Sequence, residues 1–220
     1  MAFLKRFAFV AIMLFFVLSS WGKGENISAG DFFIQMPEEE IPYLNITIKS
    51  EMVERYNYSA PTKIRNLLGG NSWVSYMDSS RIDVVLVADK VFLTVKAFDV
   101  RCGKRIYAVV KTLYTPIADS NIKFYDEYAE LIKDGKLFDL PKFENFFAKT
   151  KDKELRVVMD KISMMFLRID ISNEGNLVVS LDDMWLDVLD KDISERLLKL
   201  KYKTPIHYKW TGKRFKRVVN

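Results

Sequence analysis

The chain has 220 residues, 49% of them apolar, 29% charged and 14% aromatic, with a formal net charge of +5. This composition excludes a disordered chain and suffices for one large domain or two small ones. A single cysteine, Cys102, excludes an intrachain disulfide, and with the single histidine, His207, it cannot alone supply a zinc ligand set.

The sequence begins MAFLKRFAFVAIMLFFVLSSWGKG. Lys5 and Arg6 precede an unbroken apolar run over residues 7–18. The run is short of the ~20 residues that a spanning helix needs, and it matches the apolar region of a secretory signal. Ser20 and Gly22 place small residues before a cut after Gly22. The expectation is a signal peptide over residues 1–22 and a single α+β domain over 23–220, periplasmic or extracellular. No retained transmembrane helix is expected. Cys102, in the turn-like VRCGKR, is then a buried thiol or one open to an intermolecular bond.

SAGDFFIQMP predicts a short helix with Ser28 or Asp31 as its cap and Pro37 as its stop. In EEEIPYLNITIKSEMVERYN, Ile48, Met52 and Tyr56 recur at helical spacing. Gly69-Gly70-Asn71 breaks the chain, and strand signals follow. Trp73, Ser75 and Met77 alternate with Val74 and Tyr76; residues 82–87 are rich in β-branched side chains; Leu93 and Val95 oppose Phe92, Thr94 and Lys96; RIYAVVKTLYTPI follows the RCGK turn. Short strands joined by short turns predict an antiparallel meander rather than βαβ units.

The period then changes. Phe143, Phe146 and Phe147 share a helical face, as do Leu155, Val158, Met159 and Ile162. Asn173-Glu174-Gly175 reads as a hairpin loop. Asp192 and Glu195 have capping-box spacing at the head of a short helix. At the end, Ile206, Tyr208 and Trp210 share a strand face, Thr211-Gly212-Lys213 turns, and Phe215 begins the return. The fold class expected is α+β, an antiparallel sheet of meander and hairpins packed with a few short helices.

Asp119–Ser120 invites a nucleophile reading, but a serine nucleophile needs a base and an oxyanion hole. The only histidine alternates outward between Ile206 and Tyr208, and no G-x-S-x-G elbow exists. A turn stabilised by Asp and Ser side chains accounts for the stretch, followed by a short helix or irregular segment through Phe124, Tyr125 and Tyr128. The acids Asp182, Asp183, Asp187, Asp190 and Asp192 lack the alternation and glycine of a calcium loop. No catalytic, cofactor-binding or metal-binding residue is assigned, and no cofactor is expected.

Charge is unevenly placed. Residues 196–220 hold nine Lys/Arg and no acid, which leaves the preceding body net acidic. Lys209, Lys213, Arg214, Lys216 and Arg217 therefore form the expected partner-binding surface, facing an anionic envelope component or an envelope protein. Nucleic acid is not expected as the partner of an exported chain.

Three segments carry a resemblance: FFIQMPEEEIPYL, TPIADSNIKFYDEYAEL and PIHYKWTGKRFKRV. In order and spacing they resemble a family of small exported Bacteroidetes proteins that forms a domain of unknown function. The distinctive element is a terminal Y-x-W-x-G-K-x-F, here Tyr208, Trp210, Gly212, Lys213 and Phe215. Tyr128 departs from the pattern, standing where Trp is usual. The resemblance implies export and a shared fold, and no activity. The expected function is a non-catalytic periplasmic or cell-surface binding or structural module. The alternative is a carboxylate-dependent hydrolase acting on envelope glycan or lipid.

Overall fold

The computed structural model describes residues 27–58, 63–88, 90–101, 103–114, 117–133, 135–162, 165–182, 189–200 and 205–218. The expected signal segment, Cys102, Asp183 and Asp187 lie outside the described residues.

Helix α1 (Ala29–Gln35) starts where Ser28 accepts the Asp31 amide, and it ends before Pro37. A 3-10 turn, Glu38–Glu40, leads to α2 (Ile46–Asn57), capped by the Asn45 side chain at 3.0 Å from the Ile48 amide. Six strands then run in chain order as one antiparallel meander: β1 (Ile64–Arg65), β2 (Asn71–Met77), β3 (Arg81–Val87), β4 (Val91–Asp99), β5 (Arg105–Tyr114) and β6 (Ala118–Tyr125). The second half holds a 3-10 turn (Phe143–Phe146), α3 (Lys153–Lys161), β7 (Leu167–Ile171), β8 (Leu177–Leu181), α4 (Lys191–Leu198), β9 (Ile206–Trp210) and β10 (Phe215–Arg217). Its four strands form a second antiparallel sheet, again in chain order. The fold is α+β, as the strand and helix periods predict.

The central strands β4 and β5 are buried on both faces, so their apolar runs are nearly continuous. One face takes Leu93, Val95, Tyr107 and Val109 against α1 and α2, with Phe32 stacked on Tyr107 at 4.0 Å between ring centroids. The other face takes Phe98, Ile106, Ala108 and Phe124 against the inward side chains of the second sheet. Each fully buried large side chain contributes roughly 1.5–3 kcal/mol relative to exposure. Polar links also join the sheets. Arg81 donates to the Ile171 carbonyl at 2.8 Å, and the Ser120 hydroxyl accepts from the Ile169 amide at 3.0 Å.

Two expectations are corrected. Asp119 and Ser120 do not form a turn: they lie inside β6, with Ser120 opposite Thr112 and Asp119 opposite Leu113, and Phe124 and Tyr125 continue the same strand. Asp192 is not a cap. Asp190 occupies the capping position without a side-chain bond, and Asp192, in the first turn, pairs with Arg196 one turn on at 3.3 Å.

Candidate functional site

The turn after β4 and the turn after β9 belong to different sheets, yet they meet. The Arg101 amide donates to the Gly212 carbonyl at 3.3 Å. The Trp210 indole N–H donates to the Asp99 carbonyl at 3.0 Å. A third segment joins where the Phe215 amide donates to the Leu137 carbonyl at 2.8 Å. Beneath them the rings of Phe98, Trp210 and Phe215 pack with centroids 5.0, 5.1 and 5.4 Å apart. Gly212 has φ +79°, and a Cβ there would lie 3.3 Å from Arg101 Cγ. Glycine thus permits both the left-handed turn and the close approach of Arg101.

The three segments surround an open depression of about 460 Å³, lined by Arg101, Lys136, Leu137, Thr211, Lys213, Arg214 and Lys216. Five of these seven are cations, and none is a carboxylate. Gathered like charges repel unless an anion compensates them, and they raise the local concentration of any anion. The frame is fixed by backbone and indole hydrogen bonds rather than by the cations, so the charged ends are carried on a preformed support.

Of the expected surface, Lys213, Arg214 and Lys216 line the depression. Lys209 is exposed on β9, opposite Lys216 in the strand register. Arg217 is not with them: its guanidinium donates to the Asn145 carbonyl at 3.1 Å. Arg101 and Lys136 complete the set and were missed by sequence reasoning. RCGK is legible as a turn, but no local signal says that it meets a turn over a hundred residues away.

The Ser120 hydroxyl is engaged with Thr112 at 2.8 Å as well as with the Ile169 amide, while His207 is exposed on β9. The structure does not bring them together as nucleophile and base. No group of three or more His, Cys, Asp or Glu able to hold a metal occurs among the described residues. Several carboxylates sit in ion pairs. Glu40 accepts from Lys123 at 2.7 and 2.9 Å; burial works against its charge, but Lys123 and the nearby Tyr125 and Lys111 bring its pKa below the ordinary value. Tyr125 is pushed up in turn, by burial first and then by the Glu40 carboxylate. Asp152 is held low by the Arg196 guanidinium, 2.6 Å away, and by the Leu155 amide at the start of α3.

The family described as "Protein of unknown function (DUF3256)" matches residues 25–215. No curated protein matches. Among solved structures, the chain is similar to a domain of an uncharacterized protein from Porphyromonas gingivalis W83, with a TM-score of 0.72 at 17% identity, over 87% of this chain and 98% of that one. That likeness extends to the fold. No helix among the described residues is long and apolar enough to cross a membrane.

Proposed function

This chain belongs to the DUF3256 family, and we propose that it is a non-catalytic binding module of the cell envelope that holds an anionic partner in the basic depression. The observation that carries this reading is the convergence of Arg101, Lys213, Arg214 and Lys216, beside Lys136, with no carboxylate among the described residues of the lining. The terminal Y-x-W-x-G-K-x-F element supports it. Tyr208 is buried against Phe138, Trp210 pins the neighbouring turn, Gly212 makes the bend and Phe215 fills the core. Lys213 alone in that element serves no packing purpose, and it lines the depression.

A hydrolase reading asks for a carboxyl kept protonated as a general acid. Glu40 and Asp152, each paired with a cation, are held below the ordinary carboxylate value, the opposite of what a general acid needs. The binding reading is therefore the one adopted.

The test uses heparin and vesicles of phosphatidylglycerol as anionic probes. Lys213→Gln/Arg214→Gln/Lys216→Gln is expected to stay folded and to lose at least ~10-fold in retention at low salt, with a smaller salt dependence than the parent. Surface charges are screened over about 8 Å at physiological ionic strength, so both proteins are released as salt rises. Equal retention of parent and variant across the salt series would remove the proposal. Export through residues 1–22 belongs to the same reading. Intact mass of the native protein is expected to begin after Gly22 in the envelope fraction; a cytosolic protein retaining Met1 overturns that part.

A further inference from the structure

A second depression, of about 220 Å³, lies at the seam of the two sheets and shares none of the described lining residues with the basic one. Sheet one supplies Ser75, Arg81, Asp83, Phe92, Thr94, Thr112 and Tyr114, while β7 supplies Ile169, Asp170 and Ile171. Its charges are internally compensated. Arg81 Nε donates to both Asp83 oxygens at 3.0 and 2.9 Å, and Thr94 donates to the same carboxylate at 2.7 Å. The remaining reach of Arg81 goes to the Ile171 carbonyl and to Asn173 at 3.2 Å. Asp170 pairs with Arg168 at 2.9 Å. The seam is thus dense in fixed hydrogen-bonding groups yet carries little net charge.

Beside these groups stand two half-buried aromatic rings, Phe92 and Tyr114, edge to face at 5.4 Å. An ion gains little where every charge already has its counter-charge. A purely apolar ligand would desolvate Asp83, Asp170 and the hydroxyls of Ser75, Thr94 and Thr112 without replacing their water. A ring with C–H groups on one face and hydroxyls at its edge suits both components, since the aromatics take the apolar face and the Asp, Arg and hydroxyl groups take the rim. The volume is below the ~300–1,000 Å³ of sites that enclose a drug-sized molecule, so one ring fits and a continuing chain lies outside.

We propose that this seam slot binds one residue of a neutral glycan, between the Phe92–Tyr114 aromatic pair and the Asp83–Arg81–Thr94 network. The proposal stands independently of the anion site, because it uses different residues and an uncharged ligand.

The test is electrophoresis of the full chain through native gels containing a neutral polysaccharide, with starch, laminarin, xylan and galactomannan as separate probes. The parent is expected to be retarded by at least one. Phe92→Ala/Tyr114→Ala is expected to weaken that binding at least ~10-fold, and the Lys213/Arg214/Lys216 glutamine variant to leave it unchanged. Thermal melts check folding. If the double alanine variant melts early, Tyr114→Phe with Ser75→Ala keeps the packing and is expected to weaken binding several-fold. Retardation by none of the four probes overturns the proposal. So does a folded slot variant that binds like the parent, or loss of neutral-glycan binding in the glutamine variant.

Discussion

Asp78 shows how much one exposed side chain can organise. Its Oδ1 accepts from the Ser80 amide at 2.6 Å, the Ser80 hydroxyl at 2.9 Å and the Arg81 amide at 2.8 Å, while Tyr76 donates to Oδ2 at 2.8 Å. Burial alone would raise its pKa, but these donors win and lower it to about 2 from an ordinary 3.8. A lowered carboxyl adds stability that is complete above the ordinary value and is lost as pH falls through the folded one. Asp78→Ala should therefore cost about 1 kcal/mol at neutral pH. Its urea midpoint should fall less steeply than the parent's between pH 3.8 and about 2. Lys49 has the opposite sense. It is 1% exposed, and its ammonium donates to the Met36 carbonyl at 2.6 Å, at the end of α1. Burial lowers its pKa, with Glu38 opposing. A lowered lysine makes the native state more stable as pH rises from its folded value toward about 10.4. Urea titrations of the parent should show that alkaline gain, and Lys49→Met should lack it. The turn at Asp78 was legible as the gap between the strand signals at 73–77 and 82–87; the burial of Lys49 was not, because periodicity marks the apolar stripe of α2 and cannot show that a helix terminus lies above a cation.

At the scale of elements, the turns carry conformational requirements that substitution can test. Gly175 has φ +81°, and a Cβ there would lie 2.9 Å from Phe98 Cε1. Gly175→Ala meets both backbone strain and a buried ring, and should lose roughly 2–3 kcal/mol in urea unfolding. Gly212→Ala has the same backbone demand against the more yielding Arg101 side chain, so a loss of ~1 kcal/mol is expected, with weaker heparin retention as Arg101 is displaced. Element type was well marked in the sequence wherever a period ran unbroken, as in β3 to β5 and α3. It misled in ADSNIKFY, where Asp, Ser and Asn favour turns. There the ladder to β5 satisfies the backbone, Thr112 and the Ile169 amide engage the Ser120 hydroxyl, and Glu40 holds Lys123, so tertiary partners override local preference.

At the scale of the molecule, the two sheets share one core, and the basic depression rests on it. Phe98 contacts Trp210 and Phe215 from beneath. Phe98→Ala should cost roughly 3–5 kcal/mol and should reduce retention on anionic probes although it removes no charge. Binding linkage gives a second outcome. An anion that occupies the native depression raises the melting temperature with its concentration. Inorganic phosphate at constant ionic strength should thus stabilise the parent more than the Lys213/Arg214/Lys216 glutamine variant. Equal shifts would assign the effect to general salt exclusion from the surface.

What the sequence by itself determined is whatever depends on neighbours in the chain: alternation set the strands, a 3.6-residue period set α3, the placement of Gly175 and Gly212 set two turns, and the charge count of residues 196–220 set the basic end. Only the tertiary structure decided what depends on residues far apart. It joined Arg101 and Lys136 to the terminal hairpin, turned Arg217 away from it, and put Asp83 and Asp170 at one seam with Phe92 and Tyr114. The physical reason is range. Backbone preference and hydrophobic period act over a few residues, whereas a binding site is made where separate elements are brought together by burying their apolar faces.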